Sequence, residues 1–362
     1  MERKQSNEPF FSVILPVRNG EKTLYRAIGS ILSQTFPSYE LLTIVNGSQD
    51  RSLEIAESFS NIDERVRVFE IPDSGVSKAR NHGIVEARGE YIVFLDADDF
   101  YSSFALQLLF ETACKWKTPV VMSAGSLWNR NVNEKCLWEA SENLYMTSLA
   151  AELYQSKLNS ELKWHPSIHA VIDPPWGKAY RKTFLNEKGL TFDHRCIIYG
   201  DILFNSQVLR VAECFVPILM EGIYSYQVHE GSLSKRGGVS LFMDGFCTIN
   251  RLITLSDKTD GKELEAISYK VAYLLYCLIR TDCQFSEEKE KREVDHVINS
   301  YLSGGQVREH LIRVRDIPKM KESFLVNEVV PLMLEGNIER IRSLIFEKKE
   351  RSCVDRKTKK YI

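Results

Sequence analysis

Apolar positions in the first third of the chain fall into two alternating patterns. Phe10 to Val17 is a short, nearly unbroken apolar run; after the turn residues Arg18-Asn19-Gly20, the side chains Leu24, Ile28, Ile31 and Leu32 recur at helical spacing. Pro37 prevents that helix from continuing. A second run, Leu41 to Val45, ends in Asn46-Gly47-Ser48-Gln49-Asp50, and Leu53, Ile55, Ala56 and Phe59 then suit a short helix. A third, Val66 to Ile71, precedes a helix over about Ser77 to Arg88, with Gly89 as its expected C-terminal stop. The fourth, Tyr91 to Leu95, reads as a strand buried on both faces, and a helix near Ser103 to Trp116 and a strand at Val120 to Ala124 continue the series. Strict alternation of this kind predicts an α/β domain with a parallel sheet and helices on both faces. Such sheets bind ligands beyond the carboxyl ends of their strands.

The pattern then weakens. Trp128 to Asn159 has little periodicity, and Pro174-Pro175-Trp176-Gly177-Lys178-Ala179-Tyr180 reads as a rigid loop entering a short element. Gly200-Asp201-Ile202-Leu203-Phe204 starts a helix with Phe204, Val208 and Val211 on one face, and Tyr224 to His229 alternates as a last strand. Beyond Lys235-Arg236-Gly237-Gly238 the patterns become long and helical: Leu264, Ile267, Val271, Leu274 and Leu278 form one stripe, and Val294, Val297, Ile298, Tyr301 and Leu302 another. The expected organisation is a tail over residues 1–9, an α/β domain over 10–236 and a helical C-terminal region over 237–362.

Composition narrows the function classes. With 362 residues, 44% hydrophobic and 27% charged, the chain can bury a large core, and its formal net charge of −2 gives no whole-chain argument for nucleic acid. Eight cysteines without a CxxC pair or zinc spacing read as reduced thiols of a cytoplasmic protein. The N-terminus lacks the apolar core of a signal peptide, and no apolar run approaches the roughly 18 residues that span a bilayer.

Local charge is more informative. The strand ending at Leu95 runs directly into Asp96-Ala97-Asp98-Asp99, three carboxylates within four residues that suit a bound cation. An acidic surface turn would carry the same residues. Neither GxGxxG after the first strand nor GxxxxGK[ST] occurs, so a phosphate would be handled through a metal such as Mg²⁺ or Mn²⁺. In strand-like geometry, Asp96 and Asp98 point to the same side.

Five pieces occur together in order: Ser12-Val13-Ile14-Leu15-Pro16-Val17-Arg18-Asn19, Ser33-Gln34-Thr35, Asn46-Gly47-Ser48-Gln49-Asp50, Gly75-Val76-Ser77-Lys78-Ala79-Arg80-Asn81 and Leu95-Asp96-Ala97-Asp98-Asp99. With them the chain resembles the family 2 glycosyltransferases of bacterial type, over roughly residues 10 to 235. The resemblance implies a GT-A fold, a Rossmann-like and mostly parallel central sheet. It also implies inverting transfer of a sugar from a nucleotide diphosphate sugar, a UDP-sugar first, to a saccharide or lipid-linked acceptor in surface polysaccharide or glycolipid synthesis. By position, Pro16, Arg18, Asn19, Asn46, Ser77, Arg80, Asp96 and Ala97 would surround the donor, and Trp176 and Lys178 would face the acceptor. Asp98, Asp96 and His229 would hold Mn²⁺ or Mg²⁺, and Asp201 would be the catalytic base.

The chain departs from the family pattern at Arg18, Asn46, Gly200 and Gln227, where an aromatic residue, Asp, Glu and Arg are usual. Losses at Gly200 and Gln227 keep open a catalytically silent, nucleotide-sugar-binding scaffold. A sugar nucleotidyltransferase would need a glycine-rich basic loop, of which Arg18-Asn19-Gly20-Glu21 is only a fragment. Finally, Ile338, Ile341, Leu344 and Ile345 form a stripe followed by a basic run ending near Lys360. This pattern suits either peripheral contact with an anionic membrane or a docked helix with a solvated charged end.

Overall fold

The computed structural model describes residues 8–72, 75–128, 135–137, 173–212, 218–227, 237–257, 261–285, 290–317 and 324–347. The chain divides into two compact units, Met1–His229 and Glu230–Ile362. His229, Asp73, most of the stretch Trp128 to Asn159 and the basic run after residue 347 lie outside the described residues.

The first unit is built on one mixed sheet. Strands β1 (Phe11–Val17), β2 (Tyr39–Asn46), β3 (Val66–Ile71) and β4 (Tyr91–Phe94) are mutually parallel in the order β3-β2-β1-β4. Every position of β1 is buried, as a central strand with both faces covered requires. Its alternate side chains divide accordingly. Val13, Leu15 and Val17 enter one core cluster and Ile14 the other. Helices α1 (Leu24–Leu32), α2 (Ser52–Ser60), α3 (Val76–Glu86) and α4 (Ala105–Trp116) connect the strands, close to the expected boundaries.

Beyond β4 the sheet is not uniformly parallel. β8 (Lys178–Arg181) lies antiparallel between β4 and β6 (Val120–Trp128). β9 (Ile218–Gln227) runs parallel to β6 and pairs antiparallel with the short β5 (Phe100–Tyr101), while β7 (Lys135–Leu137) pairs with β6. β8 was hidden in the sequence because its ends are Lys178 and Arg181, which do not read as an internal strand. It packs there because Lys178, fully buried, places its ammonium on the Pro174 carbonyl, and Arg181 donates to the Tyr91 hydroxyl at 2.8 Å. After β8 come α5 (Lys182–Glu187) and α6 (Gly200–Val211).

Two glycines set close approaches. At Gly83 of α3 an added Cβ would lie 2.4 Å from Ile14 Cγ2 of β1, so α3 sits deep against the sheet. The expected helix stop at Gly89 has a different cause, since α3 already ends at Glu86 with Ala87 extended. A Cβ at Gly89 would come within 2.5 Å of the Ser12 backbone nitrogen; the residue is there for clearance, not for a left-handed cap.

The second unit is helical: α7 (Val239–Ser256), α8 (Gly261–Phe285), α9 (Lys291–Leu302), α10 (Gly305–Arg315), a π-helical turn at Leu325–Val329 and α11 (Val330–Glu335). α8 packs on α7 and α10, and the stripe of Ile267, Val271, Leu274 and Leu278 is buried as expected. Ile338, Ile341 and Ile345 are buried too, and Arg342 on the same helical segment pairs with Asp282 and Asp295, each at 2.7 Å. The stripe is therefore spent inside this unit, which favours the docked helix over an amphipathic surface helix. No described helix is long and apolar enough to cross a membrane.

Candidate active site at the strand ends

The carboxyl ends of β1, β2 and β4 bring the expected residues to one edge of the sheet. After β1, Asn19 takes φ 52°, a left-handed value that Asn tolerates. Its N–H donates to Ser48 Oγ at 3.1 Å, and its Oδ1 accepts from Gln49 N–H at 2.8 Å. Gly20 N–H donates to Ser52 Oγ and Glu21 N–H to Asp50. Asp50 lies below the ordinary carboxylate range: burial opposes ionisation, but the Ser52 hydroxyl and the Glu21 and Ser52 N–H groups outweigh it. The segment after β2 is thus laced to the segment after β1, with Pro16 and Asn46 buried, Arg18 exposed, and Gly20 next to Ala97.

The acidic loop after β4 is held on all sides, and its three carboxylates are not equivalent. Arg80, nearly fully buried on α3, donates to Asp96 Oδ1 at 2.8 Å. Asp96 N–H donates to the Tyr224 hydroxyl. The Asp98 carbonyl accepts from Arg26 of α1 at 2.6 Å, and the same guanidinium reaches the Gln227 side chain and lies over the Phe100 ring. Asp99 is turned into the core. Gln227 N–H donates to its Oδ1 at 2.7 Å, and the Tyr224 hydroxyl lies 2.6 Å from Oδ2. Burial, reinforced by the charges of Asp98 and Asp96, pushes its pKa up to about 8, so it is largely protonated at neutral pH. Only Asp96 and Asp98 of the three are partly exposed. This corrects the expectation of three clustered charges.

Asp201 opens α6. Tyr199, two residues earlier, has φ 59°, a left-handed backbone that is costly for a side chain of this size and turns the chain sharply into the helix. Ile202, Leu203 and Phe204 are buried and anchor the helix start, and Asp201 Oδ1 accepts from Ile202 N–H at 3.0 Å. Burial raises the Asp201 pKa; Arg80 and the Ile202 N–H oppose the shift, while Asp173 and Asp96 add to it. Conversely, burial works against the Arg80 charge, but Asp96 and Asp201 together hold it protonated. Arg80 therefore stands electrostatically between the acidic loop and Asp201. Its Nε is buried with no acceptor among the described residues, a donor suited to an anionic ligand. Ser77, also on α3, is buried beside Gly200, where an added Cβ would meet nothing closer than 3.5 Å.

Two expected acceptor-side residues are not surface groups. The Trp176 ring is 4% exposed and stacks on Tyr224 at 4.3 Å and 2°. It is core, and so is Lys178, whose ammonium is occupied by Pro174. His229 lies outside the described residues. Sequence reasoning missed Arg26, Tyr224 and Asp173. Nothing local marks them, because their importance comes from partners far along the chain.

Among the described residues, no group of three or more His, Cys, Asp or Glu side chains converges as a ready metal cage. Two partly exposed carboxylates nonetheless fit Mg²⁺ or Mn²⁺, which take one or two protein oxygens and fill the remaining positions from phosphate and water. An open cavity of about 830 Å³ between α7 and α9, lined by residues including Phe246, Asn250 and Tyr301, has no Asp, Glu, Lys or Arg in its wall. It offers no carboxylate for a metal, and the strand ends remain the candidate site.

Comparison with known proteins bears on the family and the fold. The Glycosyl transferase family 2 model matches residues 12–187. An uncharacterized glycosyltransferase of Bacillus subtilis, EpsJ, is 32% identical over 230 residues, which is 63% of this chain and 63% of that protein. The chain thus matches less than two thirds of that relative's length. Among solved structures, S. aureus TarS 1–349 in complex with UDP-GlcNAc superposes with TM-score 0.64 at 17% identity, covering 94% of this chain and 91% of that one. The Pyrobaculum calidifontis mannosyltransferase PcManGT, in complex with GDP-Man and Mn²⁺, gives 0.51 at 12% identity, over 85% and 86%.

Proposed function

We propose, on the match of residues 12–187 to the Glycosyl transferase family 2 model, that the chain transfers a sugar from a nucleotide diphosphate sugar to a saccharide or lipid-linked acceptor, with inversion, in surface polysaccharide or glycolipid synthesis. The observation that carries this reading is the convergence of Asp96, Arg80 and Asp201 at the strand ends, with Asp98 on the same loop. A UDP-sugar is the first candidate donor, in keeping with the UDP-GlcNAc bound to TarS. Asp98 and Asp96 would hold Mn²⁺ or Mg²⁺, and a bound cation would offset the charge of the leaving diphosphate.

The chain's own residues supply the rest. The Asp201 carboxylate takes the proton of the acceptor hydroxyl, and that oxygen bonds to the anomeric carbon from the face opposite the diphosphate. The bond from that carbon to the diphosphate oxygen breaks, and the oxygen leaves with the electron pair. A carboxylate raised by burial is a better base than a solvated one. Arg80 steadies Asp96 and lends its charge to the diphosphate side.

The test is nucleotide release from a panel of UDP- and GDP-sugars with Mn²⁺ and with EDTA. Metal-dependent turnover of at least one donor is expected, and lost in Asp98→Ala. Binding without turnover across the whole panel would overturn the enzymatic reading and leave a nucleotide-sugar-binding role.

A further inference from the structure

Phe192 belongs to the irregular segment between α5 and α6, yet it is 2% exposed and its backbone is fixed by one side chain. Asn81 Nδ2 donates to the Phe192 carbonyl at 2.8 Å, and Phe192 N–H donates to Asn81 Oδ1 at 2.9 Å. A single planar amide on α3 thus satisfies both hydrogen-bonding groups of a residue 111 positions away, as a neighbouring strand would.

The ring held by this clasp touches three elements that carry the site. It stacks on Phe204 of α6, three residues past Asp201, at 4.0 Å and 12°. It meets Phe94, the last residue of β4 and two before Asp96, edge-on at 5.3 Å. The Arg80 guanidinium lies 5.2 Å from its centroid. A shift of Phe192 would therefore move Asp201 relative to Arg80 and the acidic loop, with no charge altered.

We infer that Asn81 is a positioning residue: by clasping Phe192 it sets the separation between the donor-side pair Arg80–Asp96 and the base Asp201. This rests on the glycosyltransferase reading above. Donor binding draws on α3 and the strand ends, whereas attack by the acceptor requires Asp201 at the correct distance, and misplacement by about 1 Å can cost ~10²-fold in rate. Loss of the clasp should therefore lower kcat and spare donor affinity.

The experiment compares the wild type with Asn81→Ala and with Asn81→Asp, which keeps an acceptor for Phe192 N–H but sets a carboxylate oxygen against the Phe192 carbonyl. Three readings are taken: kcat against donor Kd, the acid limb of kcat, and hydrogen exchange at the Phe192 amide. Asn81→Ala is expected to reduce kcat by about 10- to 100-fold with donor Kd within about threefold. Asn81→Asp should lower kcat at least as far, since two acceptors then face each other.

The acid limb should move to higher pH, because the Arg80 charge restrains a carboxyl that burial, Asp173 and Asp96 push upward. Exchange at Phe192 should accelerate in Asn81→Ala. If Asn81→Ala is folded, merely less stable, and has wild-type kcat and acid limb, the positioning role is overturned. Unchanged exchange at Phe192 overturns the clasp itself. A wild type inactive on every donor overturns the glycosyltransferase reading, and this inference with it.

Discussion

Replacing Asp201 by Asn separates the basicity of this residue from its place in the fold. Asn keeps an oxygen that can accept the Ile202 N–H, now at 3.0 Å, and the buried Ile202, Leu203 and Phe204 still seat α6. Arg80 loses one anionic neighbour but retains Asp96 at 2.8 Å. General base catalysis contributes about 10²- to 10⁴-fold, equal to roughly 3–5 kcal/mol of transition-state stabilisation, and kcat should fall by that factor. Stability should move the other way. The folded-state pKa of Asp201 is raised, so its contribution to folding is complete below the ordinary carboxylate pKa and is lost as pH rises through the folded value. At pH 8 the Asp201→Asn variant should therefore unfold at the same or a higher urea concentration than the wild type, and the gap should close in acid. Single-turnover transfer under saturating donor, calorimetric donor Kd and urea midpoints at pH 5 and 8 measure the three quantities. A wild-type rate in the variant would refute the assignment. Asp173 would then be tested before Asp193, whose two oxygens are chelated by Arg195 at 2.8 and 2.7 Å.

Asp98→Ala should abolish turnover and weaken Mn²⁺ and donor together in calorimetry, with the thermal midpoint unchanged within ~2 °C, since a partly exposed loop side chain contributes little to folding. In the helical unit, Arg342→Met removes the ion-pair partner of the fully buried Asp282, which keeps the Gly238 N–H, and should cost about 3–5 kcal/mol in urea unfolding; Asp282→Asn in that background should restore part of it by removing the buried charge. His310 is held between Ser256 and Ser268, with Nε2 3.2 Å from one hydroxyl and Nδ1 2.7 Å from the other. Burial, assisted by Arg313, lowers its pKa, so the stability it contributes is present above the ordinary histidine value and lost as pH falls below it. His310→Gln should flatten the urea midpoint between pH 7 and pH 5.

The parallel half of the sheet was legible because β1 to β4 are covered on both faces and so read as continuous apolar runs. The acidic loop was legible because charge following such a run has few structural explanations. What could not be read was the difference between Asp98 and Asp99. Adjacent carboxylates are identical in sequence; partners 125 and 128 residues away, Tyr224 and Gln227, receive Asp99 in the core, where burial and the charges of Asp98 and Asp96 raise its pKa against the pull of those two hydrogen bonds. Trp176 was ambiguous for a related reason: an aromatic beside prolines suits a sugar platform as well as a core, and in the fold its ring is buried against Tyr224. Asn81 stood inside a quoted motif, but its work is done on Phe192, which carries no sequence signal of its own.

The seat of α3 has a consequence for how such a site can change over generations. Ser77, Arg80 and Asn81 all ride on a helix whose depth is set by the missing side chain at Gly83 against Ile14. A methyl group there would need roughly 1 Å of extra room, which the close-packed sheet does not contain. Any larger residue at position 83 is admissible only after Ile14 has first become smaller, and the reverse order passes through a helix lifted off its strand. Positions 14 and 83 are thus bound to an ordered pair of steps, and a lineage that has taken both can return only by restoring Gly83 before Ile14.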